Sequence, residues 1–375
     1  MNLFRRCALT LSVVLASTAA SAESGDVALT RIAVGEIGGL IVVPVQVGDR
    51  VGRWLLDTGS SRNLVSAAFV QHHGLKPGRA LAAETALGPL SGNEVVLPGL
   101  RIGALDRPGQ TALVLDLGSL AGPAAEDLDG VLGLPSLAGL EVTLDLRAWV
   151  LRLRPGEGAA CPPGTVPMPL GRDRQLPVVE VSINAGPAES YVIDTGNPAS
   201  LVRVTAAAPA SAPGLLLPGG ARLALAARAT IGPQTHLNVP VLQLAAPALR
   251  RALAPAVSGL LGTALLDGTV WQLDMARQRG CVEPDQVTTP GGFGLTTAWR
   301  DGALHVAAVL ANGPAQVAGL REGEVIKRWA GLVPDASVHR LWVQVQAQAE
   351  LELVMNDGNR TVVLRRAYFL PLLPP

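Results

Sequence analysis

Two stretches of this 375-residue sequence repeat one pattern, and the repeat constrains the fold more than any other feature. Each stretch has an apolar or alternating run, a Gly-containing turn, and a second apolar run that ends in Asp-Thr-Gly. The first copy spans residues 40–59 and the second spans residues 176–196. Apolar alternation bounded by turn residues is typical of β-strands. Each copy therefore predicts two strands with an aspartate directly after the second.

The two copies match again further along the chain. Residues 129–134 read Asp-Gly-Val-Leu-Gly-Leu, and residues 258–263 read Ser-Gly-Leu-Leu-Gly-Thr. Twelve residues after the last glycine of each element stands another aspartate, Asp145 in the first copy and Asp274 in the second. Landmarks in the same order at similar spacing indicate a duplicated unit.

This repeat predicts two lobes, at residues 28–158 and 164–284, joined by a Pro/Gly-rich linker. The sequence contains 42 glycines and 29 prolines but only 3% aromatic residues. This composition favours many short strands and tight turns over long helices. We expect a mainly β, bilobal protein.

The N-terminus has the pattern of a signal peptide over residues 1–22. Arg5 and Arg6 precede a short apolar run, and residues 20–22 read Ala-Ser-Ala, which is typical of a cleavage site. No later segment reaches eighteen uninterrupted apolar residues, so we expect no membrane span in the mature chain. These features predict a soluble, exported protein, either periplasmic or extracellular.

Charge argues against a nucleic-acid partner. Without the signal peptide, the chain has 28 basic and 30 acidic residues, a net charge of −2. A nucleic-acid-binding protein ordinarily carries a basic surface. Two cysteines remain, Cys161 and Cys281, and an even pair in an oxidising compartment suits one disulfide. The alternative is two unpaired small hydrophobic residues. Neither Cys nor His spacing predicts a metal site.

The paired Asp-Thr-Gly motifs suit acid–base chemistry at a shared cleft. Two carboxyl groups held close together cannot both ionise at low cost, so they share a proton and their pKa values separate. One carboxylate then activates water while the other group polarises a carbonyl. This hypothesis makes Asp57 and Asp194 the catalytic pair. The Thr58 and Thr195 hydroxyls are expected to tie the two loops together, and the following glycines allow close backbone approach.

At these residues the chain resembles the retropepsin-like and pepsin-like aspartic peptidases. The resemblance rests on Asp-Thr-Gly at residues 57–59 and 194–196, with Val-Leu-Gly at 131–133 and Leu-Leu-Gly at 260–262. It implies a bilobal pair of aspartic-protease-type β-barrels, endopeptidase activity on an extended polypeptide, and no cofactor or metal. The residues expected to support the pair are Thr58, Gly59, Ser60, Thr195 and Gly196.

The chain departs from this family pattern in three places. Ser60 follows the first motif and is expected to hydrogen-bond the outer oxygen of Asp57, whereas Asn197 and Pro198 follow the second motif. The candidate flap at residues 84–94 lacks the tyrosine of pepsin-like flaps, which favours the retropepsin-like side of the superfamily. The second lobe is slightly shorter, and residues 215–232 do not indicate where its flap lies.

The C-terminal residues 291–368 resemble a bacterial-type PDZ domain. Gly292, Phe293, Gly294 and Leu295 match its binding loop, and a Pro-Ala…Ala-Gly-Leu segment and a Gly-Glu-Val-Ile strand follow. The resemblance implies that an extended peptide C-terminus binds by strand addition, with its carboxylate on the amides of this loop. The alternative is a packing module that only positions the lobes.

Other polar residues have simpler interpretations. Asp145 and Asp274 lie within apolar strands, so we expect structural roles for them. His72, His73 and His236 lack a recognisable nucleophile or metal partner and are predicted to be surface residues. The motifs of serine hydrolases, zinc peptidases and P-loop proteins are absent from the sequence, which disfavours a trypsin-like protease with a PDZ domain.

Three functional hypotheses follow from the sequence. The first is an exported aspartic endopeptidase that selects polypeptides with its PDZ domain. The second is a non-catalytic peptide-binding protein with a degenerate second motif at Asp194. The third is an enzyme that pairs Asp57 of two chains.

Overall fold

The structure is a computed structural model, and part of the chain is described by it. The described residues are 26–35, 38–85, 88–118, 127–156, 158, 160–206, 213–217, 220–336, 338–358 and 360–374. The predicted signal peptide at residues 1–22 lies outside these ranges. Within them, no helix combines the length and apolar character needed to cross a bilayer. The protein is mainly β, as the sequence predicts.

Residues 26–156 are called the first region here, and their described part contains thirteen strands and two helices with defined bounds. The strands are β1 Asp26–Ala28, β2 Thr30–Ala33, β3 Gly39–Val47, β4 Arg50–Leu56, β5 Asn63–Val65, β6 Ala80–Thr85, β7 Gly88–Val96, β8 Leu100–Ile102, β9 Leu105–Arg107, β10 Thr111–Val114, β11 Gly130–Leu132, β12 Leu140–Asp145 and β13 Val150–Pro155. The helices are α1 Ala67–His72 and α2 Leu134–Leu137.

Residues 160–289 are called the second region, and the residues described within it form twelve strands and two helices. The strands are β14 Val166–Pro169, β15 Gly171–Asp173, β16 Leu176–Ile183, β17 Ala188–Ile193, β18 Leu201–Thr205, β19 Leu215–Leu216, β20 Arg222–Ile231, β21 Gln234–Ala245, β22 Val257–Leu261, β23 Val270–Asp274, β24 Arg279–Val282 and β25 Gln286–Thr288. The helices are α3 Pro247–Ala252 and α4 Thr263–Leu266.

Residues 290–374 are called the third region, and apart from residues 337 and 359, which are not described, they form one five-stranded sheet and two helices. The strands are β26 Leu295–Arg300, β27 Ala303–Val309, β28 Val325–Trp329, β29 Glu350–Met355 and β30 Thr361–Arg365, paired in chain order. The helices are α5 Pro314–Val317 and α6 Val338–Val345. Trp329 and Trp342 pack edge to face at 4.7 Å in its core. The predicted turn near residue 358 joins β29 to β30, while Asn359 lies outside the described residues.

The first two regions order their strands in the same way around the aspartates. In the first region β4 runs parallel to β11, β11 antiparallel to β5, and β5 parallel to β10. In the second, β17 runs parallel to β22, β22 antiparallel to β18, and β18 parallel to β21. In each region the Asp-Thr-Gly turn begins directly after the first strand of the parallel pair, β4 in the first region and β17 in the second. The hairpin β6–β7 occupies the predicted flap, and β19–β20 stands at the corresponding place in the second region.

A six-stranded sheet joins the two regions. Its order is β1-β13-β12-β23-β24-β14, so each region contributes three strands. Strands β12 and β23 form the junction, with Val142 opposite Leu273, and both side chains are fully buried. Arg147 adds a two-pronged ion pair to Glu283, with N–O distances of 3.0 and 2.8 Å. The junction therefore holds the two regions in one fixed arrangement.

The glycines of the two apolar-Gly elements are explained by close backbone crossings. A Cβ atom on Gly133 would lie 2.1 Å from the Arg62 carbonyl oxygen, and one on Gly262 would lie 2.3 Å from the Ala199 carbonyl oxygen. A side chain at either position would force the strand away from the loop that follows the aspartate. The elements are therefore needed to pack the two Asp-Thr-Gly loops.

Candidate active site

Asp57 stands where β4 leaves its sheet. Its backbone amide donates to the Leu132 carbonyl at 3.0 Å, which extends the pairing of β4 with β11 by one residue. Its Oδ1 accepts a hydrogen bond of 2.9 Å from the Gly59 amide. The strand pairing thus fixes the backbone position of Asp57, and the hydrogen bond within the turn orients its carboxyl group.

Asp194 is held in the same way at the end of β17. Its amide donates to the Leu261 carbonyl at 2.8 Å, and its Oδ1 accepts from the Gly196 amide at 3.0 Å. Both aspartates are half-buried. Each therefore faces a cleft with one carboxyl oxygen already oriented by its own turn.

The structure brings the two carboxyl groups together. They share a hydrogen bond, and each lies against the glycine of the other motif. A Cβ atom on Gly59 would stand 2.5 Å from Cγ of Asp194, and one on Gly196 would stand 2.6 Å from Cγ of Asp57. Any side chain at these glycines would collide with the opposite carboxyl group. Residues 137 positions apart therefore form one site.

The two threonines lock the loops to each other below the carboxyl groups. The Thr58 hydroxyl donates to the Ile193 carbonyl at 2.7 Å, and the Thr195 hydroxyl donates to the Leu56 carbonyl at 2.8 Å. Each hydroxyl also accepts from the other threonine's amide. Both threonines are fully buried. This crossed set of hydrogen bonds performs the tying role that the sequence suggests.

Part of the chain that forms this site is similar to a known protein family. Residues 43–136 match the model of the aspartyl protease family. The match contains Asp57 and the Val-Leu-Gly element but ends before Asp194. None of the curated protein sequences is significantly similar to the chain. The aspartyl protease match supports a protease-like function for the site that Asp57 helps to form.

Burial raises the pKa of both carboxyl groups of the Asp57–Asp194 pair. For Asp57 the amides of Gly59 and Ser60 and the hydrogen bond with Asp194 act against the effect of burial. For Asp194 the negative charge of Asp57 and the hydrogen bond to it add to burial, so its pKa lies well above the ordinary value. Two carboxyl groups this close ionise in separate steps, so the singly protonated pair is a distinct state.

The Ser60 hydroxyl does not take the position expected from the family resemblance. It donates to the Arg62 carbonyl at 2.7 Å, and it is the Ser60 backbone amide that hydrogen-bonds Asp57. A short hydroxyl reaches the carbonyl two residues ahead in this turn more easily than the carboxyl behind it. The expectation of a Ser60 hydroxyl bond to the outer oxygen of Asp57 was therefore wrong.

Asn197 makes a comparable local contact in the second turn. Its Oδ1 accepts from the Ala199 amide at 3.1 Å, while the Ser60 hydroxyl accepts from the Arg62 amide at 3.4 Å. The Asn197 backbone amide also hydrogen-bonds Asp194. A side-chain oxygen thus caps the amide two residues ahead in both turns. Asn197 preserves the turn although its residue type differs from that of Ser60.

The other paired carboxylates, Asp145 and Asp274, support hairpin turns. Asp145 accepts from the Ala148 amide at 2.9 Å, and Asp274 accepts from the Arg277 amide at 3.1 Å. Each also forms an ion pair with an arginine. They lie at the edges of the β12–β13 and β23–β24 hairpins rather than at the Asp57–Asp194 pair. Their role is structural, as predicted.

His236 contradicts the prediction that the histidines lie on the surface. His72 is exposed at the end of α1 and His73, the next residue, is half-buried, but His236 is 1% exposed within β21. Its Nε2 lies 2.7 Å from Oε1 of Gln234, and burial lowers its pKa to about 4. The alternation of β21 turns this side chain inward, a direction that the local sequence did not reveal.

Two of the three cysteines in the sequence are bonded to each other. Cys161 and Cys281 form a disulfide with Cα atoms 5.7 Å apart. Cys281 is buried on β24, and Cys161 lies at the start of the second region, directly after the connection from the first. The bond therefore anchors that connection to the six-stranded sheet.

The predicted peptide-binding loop opens the third region. Gly292 exchanges two backbone hydrogen bonds with Ala367, and Gly294 adopts φ +77° and accepts from the Leu310 amide. Phe293 is fully buried with the Arg366 guanidinium 4.3 Å above its ring, and Leu295 begins β26. Strand β26 is the edge of the five-stranded sheet.

A contact between the first and third regions was missed by sequence reasoning. The Gln346 side-chain amide, one residue past α6, donates to the carbonyls of Gly35 and Gly38 at 3.2 and 2.7 Å. Gly38 also packs against the Pro198 carbonyl, where a Cβ atom would approach to 1.9 Å. The next residue, Gly39, exchanges hydrogen bonds with the Thr263 hydroxyl. The only hint of this contact in the sequence is the consecutive pair Gly38 and Gly39, because adjacent glycines allow another segment to approach the backbone closely.

Proposed function

We propose that the protein is an aspartic endopeptidase that hydrolyses polypeptides with Asp57 and Asp194. The observation that carries the proposal is the packing of each carboxyl group against the glycine of the other motif, which brings together two carboxyl groups whose pKa values are both raised by burial. The family match at residues 43–136 supports the same chemistry. The site is held by backbone hydrogen bonds, so it is preorganised for a reaction in which charge develops at two oxygen atoms.

The proposed reaction uses one proton shared by the pair. The ionised carboxylate takes a proton from water as the water oxygen attacks the scissile carbonyl carbon. The protonated carboxyl group donates its proton to the carbonyl oxygen, which gives a neutral tetrahedral diol. As the C–N bond breaks, the carboxyl group that received the water proton gives it to the leaving nitrogen. The other carboxylate recovers its proton from the diol, and the pair returns to its starting state.

The test compares charge-removing variants in the full chain. Asp57→Asn and Asp194→Asn should each lower the cleavage of an unfolded protein by at least about a thousandfold, because neither variant retains a proton-sharing pair. Asp145→Asn is the matched control, since that carboxylate caps a hairpin and pairs with Arg152, away from the Asp57–Asp194 pair. Cleavage that survives either site variant, or that Asp145→Asn abolishes equally, contradicts the proposal.

The non-catalytic and paired-chain hypotheses predict different outcomes. A degenerate second motif predicts that the wild type binds polypeptide without cleaving it, and that Asn197→Ser restores cleavage. Pairing of Asp57 from two chains predicts activity that depends on protein concentration and survives Asp194→Asn. The approach of Asp57 to Asp194 within one chain favours the endopeptidase over the pairing of two chains.

For the third region we propose a PDZ-like module whose main role is to position the catalytic regions. Peptide addition to a PDZ-like sheet would use the edge strand β26 beside the last helix. That helix, α6, already contacts β2 of the first region. Ala33 is buried in the core of the third region, and Gln346 holds Gly35 and Gly38. A titration with labelled peptides that end in free apolar carboxylates tests the alternative, because saturable binding favours capture of a peptide C-terminus.

The N-terminal pattern supports export to the periplasm or the medium, with removal of residues 1–22. N-terminal sequencing of the protein from the cell exterior or periplasm checks this, and Glu23 is the expected first residue. A polypeptide substrate fits such a location, because unfolded chains are accessible there.

A further inference from the structure

The C-terminal segment of the chain leaves the third region and pairs with the second. After β30 the chain continues to residues 371–374, called the strap here, which lie along β20. The Leu225 amide donates to the Pro371 carbonyl, and the Leu373 amide donates to the Leu225 carbonyl, both at 2.8 Å. Leu372 thereby stands opposite Leu225 in a parallel bridge. The strap is thus added to β20 as a short extra strand.

The pairing of β20 leaves one stretch of its edge for the strap. Strand β19 pairs with β20 through Leu223, and β16 pairs with it from Ala229 onward. Across from Leu225 on the other side stands Pro240 of β21, which has no N–H group to donate. Leu225 directs its N–H and C=O groups to the opposite edge, and the strap pairs with both. An edge with unpaired backbone groups is a template for strand addition.

Asn184 fixes the end of the strap. It stands between β16 and β17 with φ +50°, a conformation that asparagine tolerates better than most residues. Its Nδ2 donates to the carbonyls of Leu373 and Pro374 at 3.0 and 3.2 Å, and its Oδ1 accepts from the Arg228 amide at 3.2 Å. One side chain therefore joins the strap to the strand that it lies along.

The two leucines of the strap have different surroundings. Leu372 is 63% exposed, whereas Leu373 packs against the hydrophobic core that the first and second regions share. Burial of a leucine side chain is favourable, so Leu373 adds an apolar anchor to the hydrogen bonds. The strap is therefore held by its backbone and by one of its two leucines.

The chain between β30 and the strap crosses a cavity beside the β19–β20 hairpin. Residues 367–370 line this cavity of about 310 Å³ together with Leu217, Leu223 and Leu225 of the hairpin. Protein interiors are close-packed, and side chains around a cavity lack some of the contacts that packing would give. The hydrogen bonds of the strap to Leu225 therefore tie the hairpin to the third region at a place where packing is incomplete.

The hairpin held by the strap corresponds to the predicted flap of the first region. Leu223 of β20 lies opposite Leu242 of β21, as Glu94 of the flap strand β7 lies opposite Leu113 of β10. Strands β21 and β10 each run parallel to the strand that follows an Asp-Thr-Gly turn. The strap is thus attached to the second region's counterpart of the flap.

We propose that the strap is a positioning element for substrate binding, which holds the β19–β20 hairpin where it contacts a bound polypeptide. Asn184 and Leu373 are the positioning residues that anchor it. The proposal rests on the endopeptidase function above and adds to it a role for the C-terminal segment. It also gives the third region a second connection to the catalytic regions, separate from the contact of Gln346.

The test uses two matched pairs of variants in the full chain. Asn184→Asp preserves the shape of the side chain but turns a carboxylate oxygen toward two carbonyls of the strap. Asn238→Asp, with φ +56° on β21, is its control, because β20 lies between that strand and the strap. Leu373→Ala removes the apolar anchor, and Leu372→Ala is its control.

Steady-state kinetics on an unfolded protein substrate gives the first readout. Asn184→Asp and Leu373→Ala should each raise KM about three- to tenfold and leave kcat within about twofold, because a loosened hairpin weakens substrate binding without moving the carboxyl pair. Both controls should match the wild type. An unchanged KM in both strap variants overturns the proposal, and so does a fall in kcat at constant KM.

Hydrogen exchange at the Leu225 amide gives a readout that does not depend on cleavage. This amide should exchange at least about tenfold faster in Asn184→Asp and Leu373→Ala than in the wild type and the controls. Equal rates would show that the strap does not hold the hairpin. If the wild type cleaves no polypeptide, the endopeptidase proposal fails, and the Kd for the same unfolded protein replaces KM. An unchanged Kd in the strap variants, or no binding by the wild type, then overturns the role of the strap.

Discussion

The amide of Thr58 donates a hydrogen bond to the Thr195 hydroxyl, and the amide of Thr195 donates one to the Thr58 hydroxyl, at 3.0 and 3.1 Å. This exchange ties the two aspartate-bearing turns together beneath their carboxyl groups. Thr58→Val keeps the shape but leaves the Thr195 amide and the Ile193 carbonyl without their partner. We expect a loss of about 1–3 kcal/mol in the free energy of unfolding for each group left unpaired.

Urea denaturation measures that loss. Thr195→Val should cost a similar amount, because its hydroxyl makes the matching pair of bonds. Thr361→Val, on the exposed side of β30, is the control and should change the stability little. Equal denaturation midpoints for Thr58→Val and Thr361→Val would show that the crossed bonds contribute nothing.

Asp194 should make the stability depend on pH with a defined sign. Its pKa is raised in the folded state, so its contribution to stability is fully present below about pH 3.8 and is lost as the pH rises through the folded-state pKa. Asp194→Asn has no carboxyl group to ionise at this position, so the variant does not lose stability in this way as the pH rises. The melting temperature of the variant relative to the wild type should therefore increase between pH 4 and pH 8.

Differential scanning calorimetry at several pH values checks this expectation. Asp49→Asn, at an exposed turn position, controls for the removal of one negative charge. A difference between Asp194→Asn and wild type that stays constant across the pH range would contradict a raised pKa for the pair.

Gly38 and Gly35 provide a matched test of the contact between the first region and the catalytic turn. Both have positive φ, +71° and +78°, so alanine introduces similar backbone strain at either position. A Cβ atom at Gly38 would lie 1.9 Å from the Pro198 carbonyl oxygen, whereas one at Gly35 meets nothing within 4 Å. Gly38→Ala should therefore lose at least about tenfold more kcat than Gly35→Ala, because the collision displaces the turn that carries Asp194.

Peptide cleavage and melting temperatures of the two variants are measured together. Similar activity in Gly38→Ala and Gly35→Ala would show that backbone strain, rather than contact with Pro198, determines the effect of substitution.

The disulfide between Cys161 and Cys281 should stabilise the chain by restricting its unfolded state. It closes a loop with a sequence separation of 120 residues. For a loop of this size the chain-entropy relation gives about 5 kcal/mol. The double variant Cys161→Ser/Cys281→Ser should have a lower melting temperature than wild type, and a reducing agent should lower the wild type to a similar value. A reducing agent that leaves the melting temperature unchanged would mean that the bond does not form.

Much of the fold near the candidate site follows from local sequence pattern. Strand β16 spans Leu176–Ile183, the residues whose alternation predicts it, and β17 ends at Ile193 directly before the second aspartate. Alternation and turn residues act over a few positions, so they can be read without knowing the fold. The inward direction of His236 and the hydroxyl partner of Ser60 could not be read in this way. Each depends on which neighbour a side chain meets after packing.

By itself, the sequence determined that two similar strand–turn units each present an aspartate, because strand periodicity and turn chemistry are local properties. Only the tertiary structure decided that the glycine of each motif covers the opposite carboxyl group, that Cys161 meets Cys281, and that Gln346 holds Gly38. These contacts join residues from 120 to 308 positions apart. Such pairs are selected by the packing of whole sheets, and burial then sets the pKa values on which the proposed chemistry depends.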